Sequence, residues 1–198
     1  MSGILILVLS LLVTFVISKF TSITPTTNYN NKFEYIPIIT SNIYADLLII
    51  LITFSYALGK TKAWEFLGDW YKKYRLSAMI ADIFIGVLYI LLARFITYYY
   101  KLNLNLFEFT ILAVVVQLCL DFLFYLFFSS IPKGKNNMLD FFKGWAKVAG
   151  ADALWGDSVL VVVAVLLSSL LKERSFDFNI ITLLLGIYLT PYVIYMKD

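Results

Sequence analysis

Long apolar runs separated by short polar segments dominate the chain. A transmembrane helix needs roughly 20 mainly apolar residues, and six runs approach or exceed that length, over 3–20, 36–59, 77–98, 108–131, 153–171 and 178–196. The first run has no basic segment before it and no small-residue cleavage site after it, so we expect a retained span and not a signal peptide. The pattern predicts an all-α membrane protein with about six transmembrane helices.

Two polar connections carry a helical pattern of their own. In KAWEFLGDWYKKYR the aromatic residues recur at helical spacing, and NMLDFFKGWAKVAG has a similar arrangement. We expect two short interfacial helices, with aromatic side chains at headgroup level and lysines facing anionic headgroups. The predicted interfacial anchors are Trp64, Trp70, Trp145, Lys72 and Lys147.

Composition agrees with a membrane location. Of the 198 residues, 61% are hydrophobic and 15% are charged, whereas soluble domains average about 25% charged residues. Lys and Arg concentrate in the connections after the second and fourth spans, and such residues are retained on the cytoplasmic side. We therefore predict one polytopic domain over 1–198 with both termini in the cytoplasm.

Residues 46–93 match residues 121–168 at a constant offset of 75. The identical pairs include Asp46/Asp121, Ser55/Ser130, Gly59/Gly134, Lys60/Lys135, Trp70/Trp145, Lys72/Lys147, Ala78/Ala153 and Asp82/Asp157. An offset that covers two membrane crossings preserves orientation. The match therefore predicts a duplicated helical hairpin, a parallel repeat about an axis near the membrane normal.

Four aspartates lie inside the predicted spans: Asp46, Asp82, Asp121 and Asp157. A carboxylate in a span is costly and is expected to face the bundle interior or water. We expect all four to turn inward, with Asp82 and Asp157 near helix N-termini and beside small residues. Two roles stay open: hydrogen-bonded glue between helices, or a path for protons or cations.

Other polar residues of the spans complete the candidate site. Gln117 lies one turn before Asp121 and is able to share its hydrogen bonds, while Ser55 and Ser130 are candidate donors. Arg94 is the basic residue best placed to pair with a carboxylate, but it lies at the far end of its span from Asp82. We therefore expect Arg94 to snorkel outward.

Several function classes lose support. Histidine is absent and Cys119 is the single cysteine, which removes the commonest general base and any disulfide within the chain. No Walker loop, nucleotide-binding glycine motif or nucleophile elbow occurs. We expect no enzyme, no cofactor, no metal site and no nucleic-acid partner. The expected partner is the lipid bilayer with its anionic headgroups; a second copy or other membrane or capsid proteins stay open.

The segments WYKKYRLSAMIAD, KVAGADALWGDS and LTPYVIY together resemble an uncharacterised family of multi-pass membrane proteins of large DNA viruses of algae and protists. The resemblance covers spans two to six and includes no catalytic motif. It implies a virion membrane or a host-derived membrane, and a structural or assembly duty there. A small proton- or cation-conducting channel or transporter that uses the four aspartates is the alternative.

Overall fold

The computed structural model describes residues 3–55, 57 and 61–196, with the side chains of residues 151–153 outside that description. These ranges form eight α-helices: α1 (Gly3–Phe20), α2 (Tyr35–Ser55), α3 (Lys62–Tyr74), α4 (Leu76–Tyr99), α5 (Leu106–Ser130), α6 (Asn137–Ala149), α7 (Ala151–Leu171) and α8 (Phe176–Ile194). A short 3-10 helix, Lys32–Glu34, precedes α2.

Six of these helices are long and apolar enough to cross a membrane, namely α1, α2, α4, α5, α7 and α8. The predicted all-α fold with about six spans is confirmed, and the chain is a multi-pass membrane protein. Local signals explain several helix starts: Asn105 and Glu108 form a capping box at α5, and Ser175 caps α8. Pro37 lies in the first turn of α2, where its missing N–H has no helical partner to lose.

Four helices form the centre of the bundle. Helix α2 packs against α4 and α7, and α5 also packs against α4 and α7. Helix α1 covers α5 and α7, whereas α8 covers α2. Gly186 of α8 permits close packing, because a Cβ there would lie 3.0 Å from the Tyr44 ring of α2. The helices bury two hydrophobic clusters, one centred on α4, α5 and α7 and one on α2 and α3. Among the six spans, α2 and α7 are the most buried.

The remaining helices, α3 and α6, are the two short helices predicted in the basic connections. They pack on each other through aromatic rings, with Phe66 4.5 Å from Phe141 and Trp70 5.3 Å from Phe141 between centroids. Trp70 corrects our expectation of an interfacial anchor, because its side chain is only 3% exposed and lies inside the bundle. We call the side of the membrane that carries α3 and α6 the basic-loop side.

The offset of 75 also relates the helix boundaries. Helix α3 begins at Lys62 and α6 at Asn137, and the two end at Tyr74 and Ala149. The connecting residues share one unusual backbone conformation, with φ 50 and ψ −126 at Arg75 and φ 53 and ψ −131 at Gly150. The duplication stays a prediction. Of its identical pairs, Gly59 and Lys60 lie outside the described residues, and so does the side chain of Ala153.

Arg94 does not snorkel outward, which corrects a second expectation. Its side chain is fully buried on the side opposite the basic loops, 3.2 Å from the Glu34 carboxylate. It also donates to the backbone carbonyl of Asn28, and its guanidinium lies 5.2 Å from the Tyr35 ring. The connection between α1 and α2 folds over the bundle end and supplies these partners. Snorkelling is unnecessary because the charge is neutralised within the protein.

Threading is testable by cysteine accessibility in a Cys119→Ser background. We expect Lys135→Cys to react from the cytoplasm and Asn103→Cys from the opposite side, because basic loops are retained in the cytoplasm. Both native residues are exposed. The measurement is labelling with a membrane-impermeant maleimide before and after permeabilisation. Labelling of both positions from one side would contradict the alternation of spans; reversal of both would contradict the orientation alone.

The buried ion pair predicts a large cost for removing one partner. Arg94→Met leaves the Glu34 carboxylate buried without its cation, so we expect the free energy of unfolding to fall by about 3–5 kcal/mol. The double variant Glu34→Leu, Arg94→Met should recover part of this loss. Reversible unfolding in mixed micelles measures both, with exposed Lys101→Met as control. A single variant as stable as the parent would show that the pair contributes nothing.

Candidate functional site

The four aspartates lie in one layer of the bundle. Asp82 and Asp157 each occupy the seventh position of their helices, α4 and α7. Asp46 and Asp121 each lie nine residues before the last residue of α2 and α5. At about 1.5 Å per residue, these positions are roughly 9–14 Å from the helix ends on the basic-loop side. We call these four residues the acid cluster.

Helix α3 reaches into the acid cluster from the basic-loop side. The Tyr71 hydroxyl donates to the Asp46 carboxylate at 2.8 Å, and the Trp70 indole N–H donates to Asp82 at 3.0 Å. Tyr71 and Asp46 are 1% and 3% exposed, respectively. Burial and the nearby charges of Asp46 and Asp82 raise the pKa of Tyr71 well above its ordinary value. The phenol therefore stays protonated and serves as a donor between two carboxyls.

A second group of hydrogen bonds surrounds Asp121. Tyr89 of α4 and Gln117 of α5 both donate to its carboxylate. The Gln117 oxygen in turn accepts a 2.7 Å hydrogen bond from Ser158 of α7. Gln117 and Ser158 are fully buried. The hydrogen bonds around Asp121 therefore connect three spans, and Gln117 shares the network in the way its spacing predicted.

Asp157 differs from the other three aspartates. It lies within electrostatic range of Asp121 and Asp82, so it belongs to the acid cluster. Its side chain is nevertheless exposed, and none of the hydrogen bonds in the described part of the chain involves it. Gly156, beside it, has open space where a side chain would begin. Asp157 is therefore the exposed member of the cluster, which corrects our expectation that all four aspartates turn inward, whereas Asp46 is the most buried.

Among the residues that the structure describes, all hydrogen-bond donors to the acid cluster are neutral. Within the described residues no Lys or Arg forms an ion pair with any of its carboxylates. These residues also contain no group of three or more His, Cys, Asp or Glu arranged to hold a metal ion. Neighbouring carboxylates repel each other, and without a cation they share protons to relieve the repulsion. The arrangement therefore suits proton exchange better than metal binding.

An apolar layer separates the acid cluster from the Arg94–Glu34 pair. Its fully buried members come from four helices: Ile38, Ile90, Phe109, Val162 and Val165. These five residues belong to the same hydrophobic cluster. The buried polar side chains at this level, Ser41, Asn42 and Thr110, donate to carbonyls of their own helices. In this conformation the acid cluster is therefore close to the basic-loop side and is separated from the opposite side by this layer.

The other predicted site residues have separate positions. Ser55 and Ser130 donate to carbonyls of their own helices, Ile52 and Phe127, and do not join the acid cluster. This corrects their assignment as supporting donors. Lys72 and Lys147 are exposed, and Trp64 and Trp145 are half-buried. Anchoring by these four residues stays a prediction.

Sequence reasoning missed three members of the network: Tyr71, Tyr89 and Ser158. Tyr71 is one of the aromatic residues of KAWEFLGDWYKKYR that the sequence predicts at headgroup level, but α3 buries it beside Trp70. Tyr89 lies seven residues after Asp82, about two helical turns, so both occupy one face of α4. That spacing was a usable signal. Nothing in the sequence indicated that Tyr89 crosses to Asp121 on another helix.

We compared the sequence and the structure with known protein families, curated proteins and solved structures. No family model, curated protein or solved structure matches the chain.

The Tyr71–Asp46 hydrogen bond is testable by removing the hydroxyl. Tyr71→Phe leaves a buried carboxyl without its donor, so we expect a loss of about 1–3 kcal/mol in the free energy of unfolding. Tyr74→Phe on the same helix removes an exposed bond to the Asn137 carbonyl and should cost less. Asp46→Asn should be tolerated better than Asp46→Leu, because an amide still accepts the bond. Unfolding in mixed micelles measures each variant; equal losses for the two tyrosines would contradict the assignment.

Proposed function

We propose that this multi-pass membrane protein translocates protons through the acid cluster. The observation that carries the proposal is the convergence of four carboxyls without a described basic partner, one of them exposed. A charged group inside the membrane is expensive, and such groups mark ion and proton paths. Protons are preferred to metal cations because the described acidic residues do not form a chelating group.

Hydroxyl groups between the carboxyls support a relay. Tyr71 donates to Asp46 and also interacts with Asp82. Tyr89 donates to Asp121 and lies within electrostatic range of Asp82 and Asp157. Each phenol is able to accept one proton while it donates another. The proposed order runs from Asp157, which is exposed, through Asp121 and Asp82 to buried Asp46.

The apolar layer supports a transporter and argues against a permanently open channel. Ile38, Ile90 and Phe109 are fully buried between the acid cluster and the opposite side. The buried polar side chains at this level, Ser41, Asn42 and Thr110, donate to carbonyls of their own helices, so they do not link the acid cluster to the opposite side. Translocation therefore requires a rearrangement that exposes the cluster alternately to the two sides, as in alternating access.

A structural duty in a viral or virus-modified membrane is the second candidate. Its support is that Asp46, Asp82 and Asp121 each accept a hydrogen bond from another helix, which is the expected behaviour of interhelical glue. The resemblance to membrane proteins of large DNA viruses supports the location. In this case the protein would be abundant in purified particles and would conduct no protons.

Proton flux into liposomes separates the two candidates. We expect purified protein to acidify vesicles in response to a pH gradient or membrane potential, measured with an enclosed pH-sensitive dye. Asp46→Asn and Asp121→Asn should abolish this flux, because an amide cannot carry a proton. Asp69→Asn is the matched control, since Asp69 is an exposed carboxylate on α3.

Folding is checked in parallel by size-exclusion profile and melting temperature. A folded parent without flux under either driving force would overturn the proposal and favour the structural role. Flux that survives in both cluster variants would also overturn it, because the path would then lie elsewhere.

A further inference from the structure

We propose that a second site, on the side opposite the basic loops, binds the headgroup of an ethanolamine phospholipid. The site is a cavity of about 300 Å³ between the start of α2 and the turn that joins α7 to α8. It is remote from the acid cluster, and the inference does not rest on proton translocation. Glu34 and Asn179 line its inner part, while Lys172, Arg174, Phe33 and Phe176 complete it.

Two buried hydrogen-bond acceptors, Asn179 and Glu34, line the inner part of the cavity, and the Asn179 oxygen needs a donor. Asn179 is 4% exposed, and its amide nitrogen donates to the carbonyls of Leu171, Arg174 and Ser175 at 2.9, 3.3 and 3.1 Å. These three acceptors determine the orientation of the amide. The amide oxygen is buried and has no partner in the described part of the chain. Buried polar atoms are rarely left unpaired, so this oxygen calls for a ligand with a hydrogen-bond donor.

Glu34 places a carboxylate beside this acceptor, and Arg94 and the nearby Lys172 already balance its charge. Its side chain is 7% exposed and one carboxylate oxygen contacts Arg94 at 3.2 Å. Its cavity-lining position places a carboxylate and an amide oxygen near the same space. A primary ammonium group matches this pair of acceptors, since it offers three N–H donors in a small volume.

The outer part of the cavity has the opposite charge preference. Arg174 is exposed, and its guanidinium takes part in none of the hydrogen bonds of the described residues. Lys172 donates to the Pro25 carbonyl at 2.8 Å and retains two further N–H donors. Both cations line the cavity. Guanidinium and ammonium groups are the usual protein partners of a phosphate, and Glu173 on the same rim balances only part of their charge.

Apolar surface beside the rim favours a lipid over a soluble zwitterion. Phe33 and Phe176 pack edge to face at 5.7 Å and are 71% and 51% exposed. Lys172 directly follows the last residue of α7, and Phe33 lies just before α2, so the cavity is at headgroup level. Ethanolamine phospholipid fits with its ammonium inside, its phosphate at Arg174 and its acyl chains along the aromatic pair. A choline headgroup has no N–H to donate to Asn179.

The test is lipid retention by the full chain in native mass spectrometry. Protein purified in detergent is mixed with phosphatidylethanolamine or phosphatidylcholine of identical acyl chains, and bound lipid is counted against concentration. We expect preferential retention of phosphatidylethanolamine, and an affinity about 10-fold lower in Arg174→Gln, because a charge-assisted hydrogen bond is lost. Lys101→Gln, which removes an exposed cation on the same side, should behave as the parent.

Soluble O-phosphoethanolamine distinguishes a headgroup site from a general lipid surface. Displacement of phosphatidylethanolamine by this compound supports the site. Equal retention of the two phospholipids would overturn the proposal, as would an unchanged affinity in Arg174→Gln. Tight binding of O-phosphoethanolamine without retention of the phospholipid would overturn the lipid assignment in favour of a soluble ligand. A melting curve for each variant establishes that it is folded.

Discussion

The structure depends on one constraint: a polar side chain inside the membrane must find its partner within the protein, because lipid supplies none. This requirement explains why Tyr71 and Trp70 of α3 are drawn into the bundle to reach Asp46 and Asp82. It also explains why the connection after α1 folds over the bundle end, where it supplies carbonyls and Glu34 to Arg94. The polar residues of the spans thus determine where the connecting segments lie.

The bundle has different chemistry on its two sides. On the basic-loop side, four carboxyls lie together with phenol, indole and amide donors. Because these donors are neutral, the charge of the carboxyls depends on how many protons they bind. On the opposite side, the guanidinium of Arg94 lies 3.2 Å from the carboxylate of Glu34, so these two charges are paired within the protein. A packed apolar layer that includes Phe109 and Val165 lies between the acid cluster and this pair. This asymmetry fits the proposed proton exchange on the basic-loop side; exchange on the opposite side would require a rearrangement.

Residues related by the offset of 75 share helix position but differ in their partners. Asp82 accepts from Trp70, whereas Asp157 is exposed and has no hydrogen bond among the described residues. Asp46 accepts a hydrogen bond from Tyr71 of α3, but Asp121 accepts one from Tyr89 of α4. This difference in exposure fits the proposed relay, in which one carboxyl exchanges protons while another holds one.

The sequence alone determined the membrane class, the six spans and the two short helices, because apolar length and helical spacing are local properties of the chain. It also identified the four aspartates and Gln117, since the cost of a polar group in lipid follows from its position in a span. Only the tertiary structure decided the partners. Tyr71, Tyr89 and Ser158 are distant in sequence from the carboxyls and hydrogen-bonding groups they serve, and tyrosine and serine are common in spans without any such role. Arg94 was misjudged for the same reason: its snorkelling was expected from its own helix, but Glu34, 60 residues away in the chain, neutralises it.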